Sequence, residues 1–308
     1  MKNKMLLSYL AIFFTVVMWG MSYLSIKVTV AAIPPMTLAL ERFLTAIIIL
    51  IALLKILEPG SRLNKKDIPG LCLTGMVGIT AYYFFQINGL KYTTASSASI
   101  IIATVPIFSI LADYLFFKSP LSVYKVFCVL LSLAGVFLVV VDSLSGPAGR
   151  GSLAGNLLML GTALCWVAYN IFTRPMGGKR SLLYIITYQL IFGTIFTLPF
   201  ALLEMGSWQP VSAIVMLNVA FQGIFCTALG YYLYVLALKN LGTGIVTLFA
   251  NLVPVTAVAS SYFILKETIT LTQIAGGVLI ITSVYVASLK QMAEARATAQ
   301  AAEAHNSL

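Results

Sequence analysis

The chain has 308 residues, of which 60% are hydrophobic and only 9% are charged, whereas an ordinary soluble domain carries about 25% charged residues. Its mean hydropathy of +0.99 leaves too little polar surface to cover a water-soluble globule. Composition therefore excludes a soluble protein and predicts an integral membrane protein. The net charge of +10 does not indicate a nucleic-acid partner, because the 19 basic residues are scattered between apolar runs.

Ten apolar stretches follow one another along the chain. Each is close to the roughly 20 residues that a helix needs to cross a hydrocarbon core, whereas a barrel strand needs only about 9 to 11. The stretches therefore predict an all-α fold with ten transmembrane helices. The first resembles a signal peptide, but nine more follow it, so we interpret it as an uncleaved helix. The stretches cover residues 6–26, 35–57, 68–90, 95–117, 123–141, 153–172, 182–203, 212–238, 244–265 and 271–289.

Basic residues near the ends of these stretches predict the orientation in the membrane. With a cytoplasmic N-terminus, fourteen basic residues fall on the inner side and only Lys27, Lys91, Arg150 and Lys266 on the outer side, while Arg42 lies within a helix. An odd number of crossings would scramble this division. We therefore expect both termini in the cytoplasm, with residues 291–308 as a polar, alanine-rich cytoplasmic tail.

The sequence matches itself at an offset of 148 residues. Pro106 falls on Pro254 and Lys118 on Lys266, although chance matching between leucine-rich spans is the alternative explanation. This pattern predicts two five-helix repeats, at residues 1–145 and 150–290. Because five is odd, the second repeat enters the membrane from the opposite side, and such inverted repeats are typical of secondary transporters.

Several short motifs together resemble a known family. They are Glu41-Arg42-Phe43-Leu44 in helix 2, Leu90-Lys91-Tyr92 before helix 4, Pro106 and Pro254 in helices 4 and 9, and Leu265-Lys266-Glu267-Thr268-Ile269-Thr270 before helix 10. Over residues 5–290 the chain resembles the EamA-type permeases of the drug/metabolite transporter superfamily. The resemblance implies an exporter of amino acids, metabolites or amphipathic compounds in the bacterial cytoplasmic (inner) membrane, with helices 5 and 10 at the periphery.

Polar and aromatic side chains at matched positions of helices 1 and 6 suggest a shared cavity wall. Spacings of three and four residues place each set on one face of its helix, and transporters with inverted repeats bind substrate near the midplane between the halves. An interfacial aromatic belt is the alternative for some of these residues. The predicted substrate cavity is lined by Trp19, Ser22, Tyr23, Arg42, Tyr82, Gln86, Trp166, Tyr169, Asn170, Tyr232 and Asn251.

Charged groups inside a bilayer need a partner or a function. Arg42 is a candidate to hold a substrate carboxylate by a bidentate contact; the alternative is that it caps carbonyls or snorkels to the interface. Glu41 and Asp113 are the candidates for proton coupling. For Asp113, an interfacial pair with a cation such as Lys118 is the favoured alternative.

Pro106 and Pro254 are predicted to lie deep inside helices 4 and 9, where each removes one backbone hydrogen bond. Kinks at two matched positions are candidate hinges for a rocking motion. Tolerance of proline for packing reasons alone is the alternative.

Other classes of protein lack support in the sequence. There is no Gly-x-x-x-x-Gly-Lys loop, no Gly-x-Ser-x-Gly, no His-Glu-x-x-His and no Cys-x-x-Cys, so we expect neither an enzyme nor a bound metal or cofactor. The expected partners are a small-molecule substrate, the lipid bilayer and a proton or other coupling ion. The leading hypothesis is a secondary transporter working by alternating access; a membrane-embedded enzyme or an assembly protein is the alternative.

Overall fold

A computed structural model describes residues 2–118, 122–145, 152–176 and 178–306, and within these ranges the chain contains helices and turns but no β-strand. Long apolar runs form the helices because a backbone in hydrocarbon must satisfy its hydrogen bonds internally. The helices are α1 (Lys2–Thr29), α2 (Pro35–Leu57), α3 (Lys65–Tyr92), α4 (Ala95–Phe117), α5 (Val123–Ser145), α6 (Leu153–Thr173), α7 (Leu182–Leu203), α8 (Ala213–Gly242), α9 (243–265) and α10 (Leu271–Asn306).

Nine helices in the described ranges are long and apolar enough to cross a membrane. The exception is α9, which is interrupted after residue 250 and so leaves Val253–Leu265 as a shorter apolar helix. Together, the two halves of α9 supply the tenth predicted helix. The predicted all-α membrane fold is confirmed, and α10 continues without a break into the predicted tail.

Two irregular backbone features occur in both halves of the chain. A π-helical turn interrupts α3 at Met76–Ala81 and α8 at Gln222–Leu229. The residues that end α4 and α9, Lys118 and Lys266, both adopt the left-handed conformation, with φ of 52° and 56°. These features lie at or near the 148-residue offset found in the sequence, which indicates one five-helix unit used twice.

The two matched prolines begin helical segments rather than interrupting them. The helical hydrogen bonding of α4 is interrupted between Ile102 and Val105, and Pro106 lies in the first turn of the segment that follows. Pro254 likewise lies in the first turn of the segment Val253–Ser260 in α9. A proline in the first turn removes no intrahelical hydrogen bond. The expectation of prolines deep inside continuous helices therefore needs correction, because the breaks precede the prolines.

The two repeats pack against each other, with helices of the first repeat contacting helices of the second. Helix α1 contacts α8 and α9, α6 contacts α3 and α4, and α2 contacts α7. Helix α5 packs along α10, where Gly135 and Gly276 bring the backbones so close that a Cβ at residue 135 would lie 2.6 Å from the Gly276 carbonyl oxygen. The seam between the repeats therefore runs between α1 and α3 on one side and α6 and α8 on the other.

Two carboxylates hold the repeats together at one end of the bundle. Glu204, after α7, accepts hydrogen bonds from backbone N–H groups at the start of α2 and from the Thr37 hydroxyl. Glu267, after α9, does the same at the start of α4 and with the Ser96 hydroxyl. Because the first N–H groups of a helix lack intrahelical partners and attract negative charge, both contacts stabilise this end of the bundle.

Candidate functional site

Aromatic side chains from α1 and α8 form one group at the seam. The ring of Trp19 lies 5.7 Å from that of Tyr231 and 5.3 Å from that of Tyr234, measured between centroids. The indole Nε1 donates a hydrogen bond of 2.9 Å to the Cys226 carbonyl oxygen. Trp19 is therefore fixed at both its ring face and its polar edge.

The π-helical turn of α8 explains why the Cys226 carbonyl is available. In an α-helix the N–H of Gly230 would donate to this carbonyl, but here it donates to the carbonyls of Phe225 and Thr227, five and three residues back. Gly230 also makes room for the indole, because a Cβ there would lie 2.9 Å from Trp19 Nε1. The turn thus supplies an acceptor for Trp19, and π-helical turns often occur at functional sites.

A second aromatic group lies where α3 meets α6. The ring of Trp166 lies 5.3 Å from that of Tyr82 and 5.2 Å from that of Tyr169. The Tyr169 hydroxyl donates a hydrogen bond of 2.9 Å to Gln189 Oε1, and Gln86 Nε2 donates to the Tyr82 hydroxyl at 3.1 Å. The matched tryptophans therefore have equivalent aromatic surroundings in the two repeats.

Arg42 of α2 lies buried beside the seam, with only 3% of its surface exposed. Its Nε donates a hydrogen bond of 2.7 Å to Thr227 Oγ1, its Nη1 makes a long one of 3.4 Å to Ser22 Oγ, and its Cζ lies 4.8 Å from the centre of the Tyr83 ring. Tyr23, another predicted cavity residue, is buried in α1, with 5% of its surface exposed.

Arg42 also lacks an opposite charge. The ion pairs found among the described residues are Arg174–Asp113 and Arg180–Asp67, so no described carboxylate lies within 4.0 Å of the Arg42 guanidinium. A buried charge without a counter-ion is costly. The observed bonds to hydroxyl groups, and the deep burial, favour the anion-binding interpretation over carbonyl capping or snorkelling.

The two acidic candidates have different surroundings. Asp113 pairs with Arg174 at 3.0 Å, and both side chains are partly exposed, which fits the interfacial pair, with Arg174 in place of Lys118. Glu41 is half-buried, and its Oε2 atom is buried without a hydrogen-bond partner among the described residues. Of the two acidic candidates, Glu41 is therefore the one with a buried oxygen that lacks a partner in the described structure.

Three other predicted cavity residues lie outside these groups. Asn170 is exposed, and Tyr232 is half-buried and packs against the main hydrophobic core. Asn251 lies at the break in α9, and its Nδ2 is buried without a partner in the described structure. An open cavity of about 480 Å³ occurs elsewhere, at the end of the bundle where Lys27, Lys91 and Glu204 lie.

Sequence reasoning missed several buried polar residues that organise the seam. Thr227, Gln189 and Gln222 are fully buried; Gln222 Nε2 donates to the hydroxyls of Ser25 and Thr29 at 3.0 Å each. The two glutamines could have been found as amides inside apolar spans. Thr227 gave no signal, because threonine in a membrane helix commonly bonds to its own backbone.

The described residues contain no group of three His, Cys, Asp or Glu side chains that could hold a metal ion. The four cysteines are free, and none of them is exposed. What the seam offers chemically is one unpaired guanidinium, polar hydroxyl and amide edges, and flat aromatic faces. These groups can bind a small anion-bearing molecule.

Proteins similar to this chain are transporters by name. An uncharacterized transporter of Archaeoglobus fulgidus is 29% identical over 92% of this chain and 98% of its own length, and the uncharacterized transporter YvbV of Bacillus subtilis is 28% identical over 91% of each. A probable amino-acid metabolite efflux pump of Escherichia coli is 27% identical over 88% of this chain and 91% of its own length.

One crystal structure superposes on this chain with a TM-score of 0.65 at 19% sequence identity, and the superposition covers 92% of this chain and 97% of the other. The two chains therefore share a fold. The model of the EamA-like transporter family matches residues 6–141 and again residues 153–289. The two matches fall on the two halves that share the irregular backbone features. The chain is thus a multi-pass membrane transporter rather than an enzyme, and it belongs to the EamA-like transporter family.

Proposed function

We propose that this protein is a secondary-active exporter of amino acids or related carboxylates, working by alternating access around the seam between its two repeats. It lies in the bacterial cytoplasmic membrane with both termini in the cytoplasm, as the distribution of basic residues favours. The observation that carries the proposal is the buried guanidinium of Arg42, which has no counter-ion among the described residues.

A substrate carboxylate is the natural counter-ion for Arg42. Arginine and carboxylate groups form paired, charge-assisted hydrogen bonds that are stronger than neutral ones. A well-placed opposite charge also offsets part of the free-energy cost of removing the guanidinium from water. The similarity to a probable amino-acid metabolite efflux pump supports this chemistry, because every free amino acid carries a carboxylate.

The aromatic groups would accept the rest of the substrate. Trp19 with Tyr231 and Trp166 with Tyr82 present flat apolar faces that pack well against apolar side chains and attract cations. Gln86 and Asn251 add amide groups for polar substituents. A molecule with an anionic end and an apolar or cationic end fits these walls.

Two further roles follow from the same arrangement. Glu41 is the candidate for coupling to a proton, because it has a buried oxygen without a hydrogen-bond partner among the described residues and because carboxylates inside membrane helices often belong to proton relays. The breaks before Pro106 and Pro254 are candidate hinges, because the chain already departs from helical bonding there. Motion at both hinges would let the repeats rock around the seam.

Counterflow in proteoliposomes tests the proposal. Vesicles loaded with an unlabelled amino acid should accumulate the labelled one, for a panel that spans apolar, aromatic and acidic side chains, with and without a pH gradient. Arg42→Met should reduce uptake of the transported carboxylate at least about tenfold, as expected for a lost charge-assisted hydrogen bond, while Arg62→Met at an exposed arginine should not. Unchanged uptake by Arg42→Met would contradict the proposed role.

A further inference from the structure

The π-helical turn of α8 determines how the hydroxyl of Thr227 is used. Its Oγ1 donates a hydrogen bond of 2.9 Å to the Gln222 carbonyl oxygen, five residues back. A threonine hydroxyl has one proton and two acceptor lone pairs. Since the proton is used within α8, the side chain presents a lone pair to whatever donor approaches from the neighbouring helix.

That donor is Arg42 of α2. Its Nε donates to Thr227 Oγ1 at 2.7 Å, and Thr227 is fully buried. The two helices approach closely at this point, because a Cβ at Gly223 would lie 2.7 Å from the Thr45 Cβ and 2.9 Å from the Arg42 carbonyl oxygen. The short Thr227 side chain can reach the guanidinium only because of this close approach.

The contact leaves one edge of the guanidinium available. A guanidinium has five N–H donors in a planar fork. Thr227 takes the Nε donor and the Tyr83 ring lies at the Arg42 Cζ, while Nη1 makes only the long 3.4 Å contact to Ser22. The edge formed by Nη1 and Nη2 therefore remains for a second planar group, which a carboxylate matches with two parallel hydrogen bonds.

We propose that Thr227 is a positioning residue for substrate recognition: by holding Arg42 Nε, it aims the Nη1–Nη2 edge so that a carboxylate binds end-on and is distinguished from its uncharged amide. This inference rests on the proposed function of Arg42 as the carboxylate site. It assigns the choice between a carboxylate and a carboxamide to a residue that does not itself touch the substrate.

Thr227→Val and Thr227→Ser form a matched pair. Valine has nearly the shape of threonine but no acceptor oxygen, whereas serine keeps the oxygen. In counterflow with labelled phenylalanine, leucine and glutamate, and with phenylalaninamide as competitor, Thr227→Val should raise the KM for the amino acids about tenfold at nearly unchanged maximal rate. It should also weaken the preference over the amide, and Thr227→Ser should restore both values.

The double variant separates positioning from general packing. If Thr227 acts through Arg42, the variant with both Arg42→Met and Thr227→Val should transport no worse than Arg42→Met alone. Where Thr227→Val is too unstable to purify, Thr227→Ala removes the same oxygen and takes its place.

The results distinguish the positioning role of Thr227 from the proposed function of Arg42. Wild-type KM and amide discrimination in Thr227→Val, or equal defects in the valine and serine variants, would overturn the positioning role while leaving the function of Arg42 intact. Wild-type transport by Arg42→Met, or no counterflow of any of the three amino acids by the wild-type protein, would overturn the proposed function and this inference with it.

Discussion

Tyr169 occupies the space that a side chain at residue 78 would need. A Cβ built on Gly78 would overlap atoms of the Tyr169 ring, while the Tyr169 hydroxyl is held by Gln189 Oε1. A side chain at residue 78 would therefore have to displace the Tyr169 ring and strain its hydrogen bond to Gln189. A glycine in a membrane helix here provides close contact with a neighbouring side chain rather than flexibility.

We expect Gly78→Ala to destabilise the protein by about 1–3 kcal/mol, as overpacking does in a well-packed interior. It should also lower transport, because Tyr169 must leave its place beside Trp166. Thermal unfolding in detergent measures the stability. Gly70→Ala in the same helix is the control, since its Cβ would meet Met176 at an ordinary 3.5 Å; equal melting temperatures for the two variants would contradict this packing.

Some of this site could be predicted from sequence at the level of single residues. Arg42 was identifiable because a charge inside an apolar span is rare, and Trp19 and Trp166 because they match across the repeats. The bond from Arg42 to Thr227 was not identifiable, since 185 positions separate the two residues. Exposure of Asn170 was also missed, because helical spacing places residues on a face without saying what covers that face.

Hydropathy alone predicted the helices, because every membrane helix must contain an apolar run of nearly fixed length. The π-helical turns and the break in α9 were not predicted. They depend on contacts between helices, such as the one from Trp19 to the Cys226 carbonyl, which the local sequence does not encode. Irregular backbone at membrane depth occurs where protein or a cavity surrounds it.

The contact between α5 and α10 gives a prediction with an adjacent control. A Cβ at Gly276 would lie 2.7 Å from the Gly135 carbonyl oxygen, whereas at Gly277 the nearest atom is 3.4 Å away. Alanine is the better helix former by about 1 kcal/mol, so Gly277→Ala should preserve or raise the melting temperature, while Gly276→Ala should lower it. A lower melting temperature for Gly277→Ala than for Gly276→Ala would contradict the packing of these helices.

The carboxylate of Glu267 at the start of α4 gives a second prediction about the packing of the helices. Glu267→Gln keeps the size of the side chain but removes the charge that faces the backbone N–H groups of Ala95 and Ser96. We expect a loss of about 1–2 kcal/mol of stability, measured by thermal unfolding. Thr268→Ala, at the neighbouring exposed residue, is the control and should have no measurable effect.

The inverted repeat makes a prediction about the molecule as a whole. Lys91 and Lys239 occupy matched positions and are both exposed, yet an inverted repeat places them on opposite sides of the membrane. In a variant without native cysteines, Lys91→Cys should react with an impermeant maleimide from outside the cell and Lys239→Cys only after lysis. Reaction of both from the same side would rule out the inverted orientation.

Alternating access requires that the seam open to each side of the membrane in turn. Ser22 is buried beside Arg42, so Ser22→Cys, in a variant without native cysteines, reports on that space. We expect an impermeant maleimide to modify it in right-side-out and in inside-out vesicles alike, and a transported carboxylate to slow both reactions. Protection from the reagent on either side, with and without substrate, would contradict alternating access at this seam.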